Sequence, residues 1–374
     1  MTTSMADFTR GVQRLLVVMP TWIGDSVMAT PFLRALRSHP DLHDASIVTY
    51  GRSGIDEALA GLPYLDEQIV GRASGLTGPW REGRRLSSRR FDGVVLLPNS
   101  WRSAAMAFAA RIPRRLGFAR NSREGLLTHR VGCPSAEGWK GSISAVDYYL
   151  ALARAIGGVN MDRRLVLECT AQQRIAAQRL LDRVGIDPAR RLAVLNPGAS
   201  RAEKRWPVDR FASIAETLSR RHGMTVLVNG SPSEQRLVGA ICAASKAPCV
   251  DLTASGVTIS TLKPILRRAR LLVTNDTGTR HLAVAVNHDA PSPIPVVSLF
   301  GPTDPRTSSI EADRERIVTS PDEHMRGISV EAVESAIESV LDSDDSRPDV
   351  VVRRSKNSTP RVSAPPVPEM NDPP

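Results

Sequence analysis

The chain has 374 residues, of which 41% are hydrophobic and 24% charged, and a formal net charge of +10. That length fits two domains of ordinary size, and the balance is that of a globular protein rather than a disordered or fibrous one. Aromatic content of 4% argues against a recognition surface of stacked rings, and Cys133, Cys169, Cys242 and Cys249 fall at irregular spacings that suggest neither a zinc cluster nor a disulfide framework.

The first residues, MTTSMADFTRGVQR, hold no apolar stretch, and no run of about 18 apolar residues follows, so a cytoplasmic protein is expected. Apolar runs then alternate with helical patterns. RLLVVMP (14–20) leads into an amphipathic stretch from Asp25 to Arg37, SIVTY (46–50) into a helix near 53–61, and FDGVVLLP (91–98) into a helix from Trp101 to Arg111. RRLGF (114–118) and a helix near 143–156 close the first half, which has the rhythm of a parallel sheet with crossover helices. Between Arg72 and Arg130 stand thirteen arginines against Glu82, Asp92 and Glu124, an excess equal to the whole net charge of +10. A patch of that kind attracts phosphates on a membrane surface, a lipid-linked saccharide or nucleic acid, and it also reads as a plain solubilising face.

A polar helix at 170–184 bridges to a second series with the same rhythm: RLAVLNPG (191–198), a helix over 208–221, MTVLVNG (224–230), a helix over 233–244, ARLLVTND (269–276), a short helix over 278–286 and PVVSLFGP (295–302). SVEAVESAIESVL (329–341) places Val330, Val333, Ile337, Val340 and Leu341 on one helical face. From Ser343 the composition turns to Pro, Ser and charge, which predicts a disordered tail. Two α/β units facing each other across a cleft, with ligand at the carboxyl ends of the strands, are the architecture this implies, and a polar connection between them predicts hinge motion.

Three strand-end loops could carry chemistry. In PTWIGDSVMATP (20–31), Gly24 permits a tight turn and Asp25 opens the following helix, as a cleft carboxylate or simply as a cap. There is no G-x-G-x-x-G, which disfavours a dinucleotide fold fingerprint. LNPGASRAEKRWP (195–207) has a small-residue loop of Gly198, Ala199 and Ser200, then Lys204 and Arg205, with Pro207 as the first helical residue; this reads as a phosphate cradle or as a solvated basic loop. In VTNDTGTRHLAVAV (273–286), Asp276 as cap, the Thr277 hydroxyl and Gly278 open a helix whose free N–H groups suit a phosphate or sugar hydroxyls, while His281 lies on its first turn, either as a structural histidine or as part of the site. Glu234 in GSPSEQ (230–235) is placed to accept from ribose hydroxyls, or is a first-turn helix glutamate.

Taken together these segments resemble glycosyltransferase family 9, the ADP-heptose:lipopolysaccharide heptosyltransferases. The matching elements are P-T-W-I-G-D (20–25), N-P-G-A with K-R-W-P (196–199, 204–207), G-S-x-x-E (230–234), N-D-T-G-x-x-H (275–281) and L-F-G-P-T-D-P (299–305). The W-I-G-D form is closer to heptosyltransferase II than to heptosyltransferase I. The resemblance implies a GT-B fold of two Rossmann-like α/β domains, with an acceptor-binding domain over 12–168, a linker helix over 169–189, a nucleotide-sugar-binding domain over 190–320, a C-terminal helix over 321–342 and the tail over 343–374.

It further implies an inverting, metal-independent transfer of heptose from ADP-heptose to a lipopolysaccharide inner-core acceptor, with no cofactor. Asp25 matches the base, its pKa expected to be depressed by the helix start. Lys204 would stabilise the departing diphosphate, Ala199, Ser200, Thr277 and Gly278 would bind its oxygens, Glu234 the ribose, Asp276 sugar hydroxyls, and His281 would support the phosphate site. Trp22, Gly24, Arg72, Arg102 and Arg120 are the candidate acceptor contacts. The partners implied are an ADP-sugar, a lipid-linked or lipopolysaccharide core acceptor and, peripherally, an anionic inner-membrane surface, with nucleic acid not expected and a monomer expected. Two departures border the donor site on this reading: Arg280, where the family usually has an apolar or small residue, and the long link NHDAPSPIP (287–295). A different nucleotide sugar for another surface glycan, or a non-catalytic protein that grips anionic lipid or nucleic acid, are the competing readings.

Overall fold

The computed structural model describes residues 5–134, 143–290 and 292–342, so the expectation of a disordered tail at 343–374 lies outside the described residues. Two six-stranded sheets form, one from each half of the chain, and every strand pairing in both is parallel. The first contains β1 (Arg14–Val18), β2 (Ser46–Gly51), β3 (Glu67–Val70), β4 (Gly93–Leu96), β5 (Arg114–Phe118) and β6 (His129–Val131), in the order β3-β2-β1-β4-β5-β6. The second contains β7 (Leu192–Asn196), β8 (Thr225–Val228), β9 (Cys249–Asp251), β10 (Leu271–Asn275), β11 (Val296–Phe300) and β12 (Glu315–Thr319), in the order β12-β11-β10-β7-β8-β9. Counted within its own half, each sheet has the same strand order. The order reverses between β1 and β4 in one and between β7 and β10 in the other, and such switch points are where parallel sheets hold ligands.

Central strands are buried on both faces, so their sequences read as near-continuous apolar runs. In the first sheet Leu15, Val17, Ile47, Val95 and Leu116 face one layer, and Leu16, Val18, Val48, Val94 and Leu96 the other. The inner layer is α1 (Ile23–Met28), α2 (Thr30–Arg37), α3 (Ile55–Leu59) and α6 (Ala145–Ala155); the outer layer is α4 (Gly78–Ser87) and α5 (Trp101–Ala109). Around the second sheet lie α8 (Val208–Arg220), α9 (Gln235–Ala244), α10 (Ile259–Arg268), α11 (Gly278–Val286) and α12 (Val330–Asp342). Val333, Ile337 and Val340 of α12 are buried in the core of this second unit.

The join between the halves is not a bare polar tether. The crossing segment before α7 (Ala171–Arg183) is tied to both sides, with Val166 N–H donating to Thr30 Oγ1 (3.1 Å) and Leu167 N–H to the Ala285 carbonyl (3.0 Å). Leu262, Ile265, Leu282 and Val286 of the second half share one core with Phe32, Leu33, Tyr148 and Leu152 of the first. At its edge two helices cap each other. The fully buried Lys263 ammonium of α10 donates to the carbonyls of Glu57 (3.3 Å), Ala58 (2.7 Å) and Ala60 (3.0 Å) at the end of α3, and the Glu57 carboxylate accepts from Ser260 N–H (2.8 Å) at the start of α10. Each charge sits at the helix end whose dipole it complements. Burial pushes the Lys263 pKa down to about 8, a cost offset by three acceptors.

Lys263→Ala should destabilise the protein by about 2–3 kcal/mol, because it strands buried carbonyls. Equilibrium denaturation checks this, and a change below about 0.5 kcal/mol would show that the joint does not rely on the lysine.

Candidate functional site

The three strand-end loops meet where the sequence places them, at the carboxyl ends of the central strands. β1 runs through Met19 to Ile23 into α1, whose N-cap is Trp22 and whose third residue is Asp25. Asp25 does not cap its own helix: no side-chain cap hydrogen bond exists there, and its carboxylate has no hydrogen-bond or ion-pair partner among the described residues. The expected depression of its pKa is overturned. Burial raises it from 3.8 to about 6. A helix start contributes at most about 1 kcal/mol at exposed positions, under one pKa unit, whereas desolvation can shift a carboxyl by several.

Gly24 also has a different reason from the one expected. Its φ is not positive, so no tight turn demands glycine. A Cβ there would lie 2.9 Å from His281 Nδ1 and 3.0 Å from Gly278 Cα, and a Cβ on Gly278 would lie 3.1 Å from Gly24 N. The first turns of α1 and α11 therefore meet backbone to backbone across the cleft, which puts Asp25 one residue from the contact. His281 is buried; burial first and the Arg280 guanidinium second push its pKa down to about 4, leaving a neutral imidazole at pH 7. Its Nε2 lies 3.4 Å from Arg280 Nη1, which can only donate, so the ring proton belongs on Nδ1, facing Gly24.

On the other side of the cleft, β7 ends at Asn196 and β10 at Asn275, and these two buried amides fix the loops. Asn275 Nδ2 donates to the Pro197 carbonyl (2.8 Å) and its Oδ1 accepts from Trp206 N–H (3.4 Å). Asn196 Nδ2 donates to Thr277 Oγ1 (3.1 Å) and Thr274 Oγ1 (3.2 Å), while its Oδ1 accepts from Asn229 Nδ2 (2.7 Å) and Thr279 Oγ1 (3.1 Å). Asp276 is not the cap of α11. Thr277 holds that position, and the Asp276 carboxylate instead accepts from Lys204 Nζ (3.0 Å) and Ser308 Oγ (3.2 Å). Lys204 thus reaches the α11 start from the loop after β7, with the pair mostly shielded from solvent. Pro207 is likewise the N-cap of α8, one residue before its first turn.

Glu234 closes the cradle. It completes a capping box with Ser231, accepting from Ser231 N–H (2.9 Å) and Oγ (2.8 Å), and its carboxylate lies over Gly198, where a Cβ would fall 2.4 Å from Oε1. Ala199 is buried, its carbonyl accepting from Arg205 Nη2 (3.1 Å), and Ser200 is exposed at the mouth. Arg72, Arg102 and Arg120 follow β3, β4 and β5, so all three stand at the carboxyl end of the first sheet, as Asp25 does; Arg72, Arg102 and Trp22 are exposed, Arg120 half-buried. Of the two departures, Arg280 stands directly behind the site, its Nη1 3.4 Å from His281 Nε2 and donating to the carbonyl of Ser308 (2.7 Å), whose hydroxyl donates to Asp276. Arg280 is fully buried and paired through Nε (2.5 Å) and Nη2 (2.8 Å) with Glu315 of β12, over the Phe300 ring, and the 287–295 link follows the far end of α11, about 13 Å along the helix from Gly278.

Asn196 and Asn275 stand in the sequence motifs with no role assigned to them, and residue reading missed Asn229 and, in the first unit, Asn99. Asn99 follows β4 at the switch point; its Nδ2 donates to Tyr148 Oη (2.7 Å) and its Oδ1 accepts from the fully buried Arg123 (3.1 Å). The available signal was an asparagine ending an otherwise apolar run.

The model for glycosyltransferase family 9 (heptosyltransferase) matches residues 80–336, a span that begins after the Asp25 loop. The chain is similar to lipopolysaccharide heptosyltransferase 2 of Escherichia coli strain K12, 27% identical over 318 residues that cover 82% of this chain and 87% of that protein. It is similar to lipopolysaccharide heptosyltransferase 1 of Pseudomonas aeruginosa, 30% identical over 314 residues that cover 78% and 79%. Among solved structures, ADP-heptose lps heptosyltransferase II of E. coli superposes with a TM-score of 0.74 at 23% identity, covering 89% of this chain and 99% of that one. A glycosyltransferase of family 9 from Veillonella parvula superposes with a TM-score of 0.78 at 22% identity, covering 91% and 100%.

Two outcomes are expected from this geometry. Asp25→Asn removes a carboxyl whose folded pKa is raised, so the variant should match the native protein in stability below about pH 4, gain on it as pH rises from 3.8 to 6, and keep a constant advantage above; denaturation at a series of pH values checks the sign. Gly24→Ala forces the two helix starts apart, and transfer should fall on the order of 10²-fold while nucleotide affinity holds, measured by kinetics beside calorimetric titration. The two matched α/β units and the family model that spans most of their length establish that the chain belongs to glycosyltransferase family 9, the heptosyltransferases.

Proposed function

We propose that the chain transfers heptose from ADP-heptose to a lipopolysaccharide inner-core acceptor, with inversion at the anomeric carbon. The observation that carries the reading is the Asp25 carboxyl, buried without a partner among the described residues and one position after Gly24, whose backbone meets Gly278 at the start of α11. The first unit binds the acceptor and the second the nucleotide sugar. The acceptor would lie along the carboxyl end of the first sheet, between Trp22, Gly24, Arg72, Arg102 and Arg120.

Asp25 takes the proton from the acceptor hydroxyl as that oxygen attacks the anomeric carbon and the bond to the diphosphate breaks. A carboxylate with a pKa of about 6 is a stronger base than one at 3.8 and is still mostly ionised at about pH 7.5, so burial raises its basicity without removing the base form. Lys204 exchanges Asp276 for the departing diphosphate, and the Thr277 and Gly278 amides with Ser200 hold its oxygens, freeing Asp276 for sugar hydroxyls. Glu234, already fixed by Ser231, accepts from the ribose, and the neutral His281 supports the phosphate site without adding charge. The lysine and the helix start together supply the charge stabilisation for which some transferases use a metal ion, so the reaction is expected to run without one. No described helix is long and apolar enough to cross a membrane; on this reading the chain works as a monomer on the cytoplasmic side of the inner membrane.

Product formation from ADP-heptose on a heptose-deficient lipopolysaccharide core tests the reading. The native chain should transfer, Asp25→Asn should lose activity, and Lys204→Ala should lose about 10²–10³ in rate. Below pH 6 the native rate should fall tenfold per pH unit as Asp25 protonates. Binding of ADP with no transfer would leave the donor cradle standing and show the sugar or acceptor to be wrong.

A further inference from the structure

The outer layer of the first unit has a surface that the transfer reaction does not use. Nine large apolar side chains are exposed in the described residues, and five of them, Val70, Leu76, Trp80, Trp101 and Phe108, fall within 39 consecutive positions from the end of β3 through α4 to α5. The same stretch carries seven arginines against Glu82 and Asp92, half of the net charge of +10. α4 and α5 cross tightly at Gly83, where a Cβ would lie 2.5 Å from Ala109 Cβ, and beside the crossing is a groove of about 500 Å³. Trp80, Arg84, Phe108, Arg111 and Arg115 line it, and no carboxylate does.

The groove is held in shape. Arg115 donates to the carbonyls of Leu126 (2.6 Å) and Ile112 (2.6 Å), and its guanidinium lies 5.5 Å over the Phe108 ring. The acids of the stretch do not neutralise it. Glu82 points inward to Tyr50 Oη (3.0 Å) and Arg85 (2.8 Å), and Asp92 is taken by the backbone N–H groups of Gln13 (2.9 Å) and Arg14 (2.8 Å). Arg84 and Arg111 are exposed and carry no ion pair among the described residues. The layer lies on the sheet face opposite to α1, α2 and the second unit, so none of these covers it.

We propose that this face docks on an anionic phospholipid bilayer, with Trp80 and Phe108 at the headgroup boundary and Arg84, Arg111 and Arg115 on lipid phosphates. The chemistry favours a membrane over nucleic acid, because Val70 and the 92% exposed Leu76 have no ring to stack on a base but suit an acyl boundary. The inference deepens the reading of a lipid-linked acceptor: α4 follows β3 and α5 follows β4, so the starts of both helices, with the exposed Leu76 and Trp101, adjoin the carboxyl ends where Arg72 and Arg102 stand, while Arg111 and Arg115 lie toward the amino end of β5.

Co-sedimentation of the full chain with vesicles of phosphatidylethanolamine and phosphatidylglycerol, against phosphatidylcholine alone, tests it without any sugar donor. The native chain should pellet with the anionic vesicles. Arg84→Glu with Arg111→Glu should weaken partition by at least about twentyfold, since each arginine at an anionic surface contributes about fivefold. Arg221→Glu with Arg236→Glu, an equal charge change at exposed sites in the second unit, should weaken it far less. Equal loss in both variants, no preference for anionic vesicles, or displacement by single-stranded RNA at the same salt would each overturn the proposal. Nucleotide binding should be unchanged in the Arg84 and Arg111 variant, which separates loss of the surface from loss of the fold. Failure of heptose transfer would leave the vesicle result standing.

Discussion

Everything at the site depends on two helix starts being able to touch. Gly24 and Gly278 stand on opposite sides of the cleft, and the space for one added methyl group between them is already filled by backbone and by the His281 ring. The two sheets are built alike, so each offers its switch point, and the contact between α1 and α11 lays one switch point against the other. The Asp25 loop of one unit and the strand-end loops of the other are then brought together rather than facing each other across an open groove. Any side chain at either glycine would trade that proximity for clearance.

The contact has to be held rigidly, and buried polar groups rather than apolar ones do the holding near the site. Asn196, Asn229, Asn275, Thr274, Thr277 and Thr279 satisfy one another and the loop carbonyls at the carboxyl ends of β7, β8 and β10. Arg123, Asn99 and Tyr148 do the same at the carboxyl end of β4 in the first unit. Removing one member leaves its partners unpaired in a dry setting, at about 1–3 kcal/mol each, so these clusters specify loop positions more sharply than packing could. Farther out, the apolar core shared by both halves and the reciprocal capping of α3 and α10 set their relative placement. Hinge motion expected from a polar linker therefore has to work against a buried, charge-capped joint.

Electrostatics at the cleft follow from burial more than from local sequence. A carboxylate in a helix's first turn is expected to be acidic, yet Asp25 titrates near 6 because nothing within reach replaces the water it loses. His281, buried beside a guanidinium, is held neutral. Lys204 and Asp276, by contrast, face each other across two loops and keep an exchangeable ion pair where the leaving group is proposed to sit.

The sequence by itself determined the α/β class, the two repeated units, the eight inner strands and the positions of all three strand-end loops, because central strands are continuous apolar runs and loops at their ends carry glycine and polar residues. It did not disclose β3, β6, β9 and β12, and these four are the edge strands of the two sheets. An edge strand is half-exposed, so burial demands no continuous apolar run to read, as the charged ERIVT of β12 shows. Tertiary structure alone decided that Gly24 serves a contact rather than a turn, that Arg280 belongs to Glu315, that Asp276 holds Lys204, and that Asp25 is a weak acid. Each of these depends on a partner more than 30 residues away or on how much water is excluded, and neither is written in local spacing.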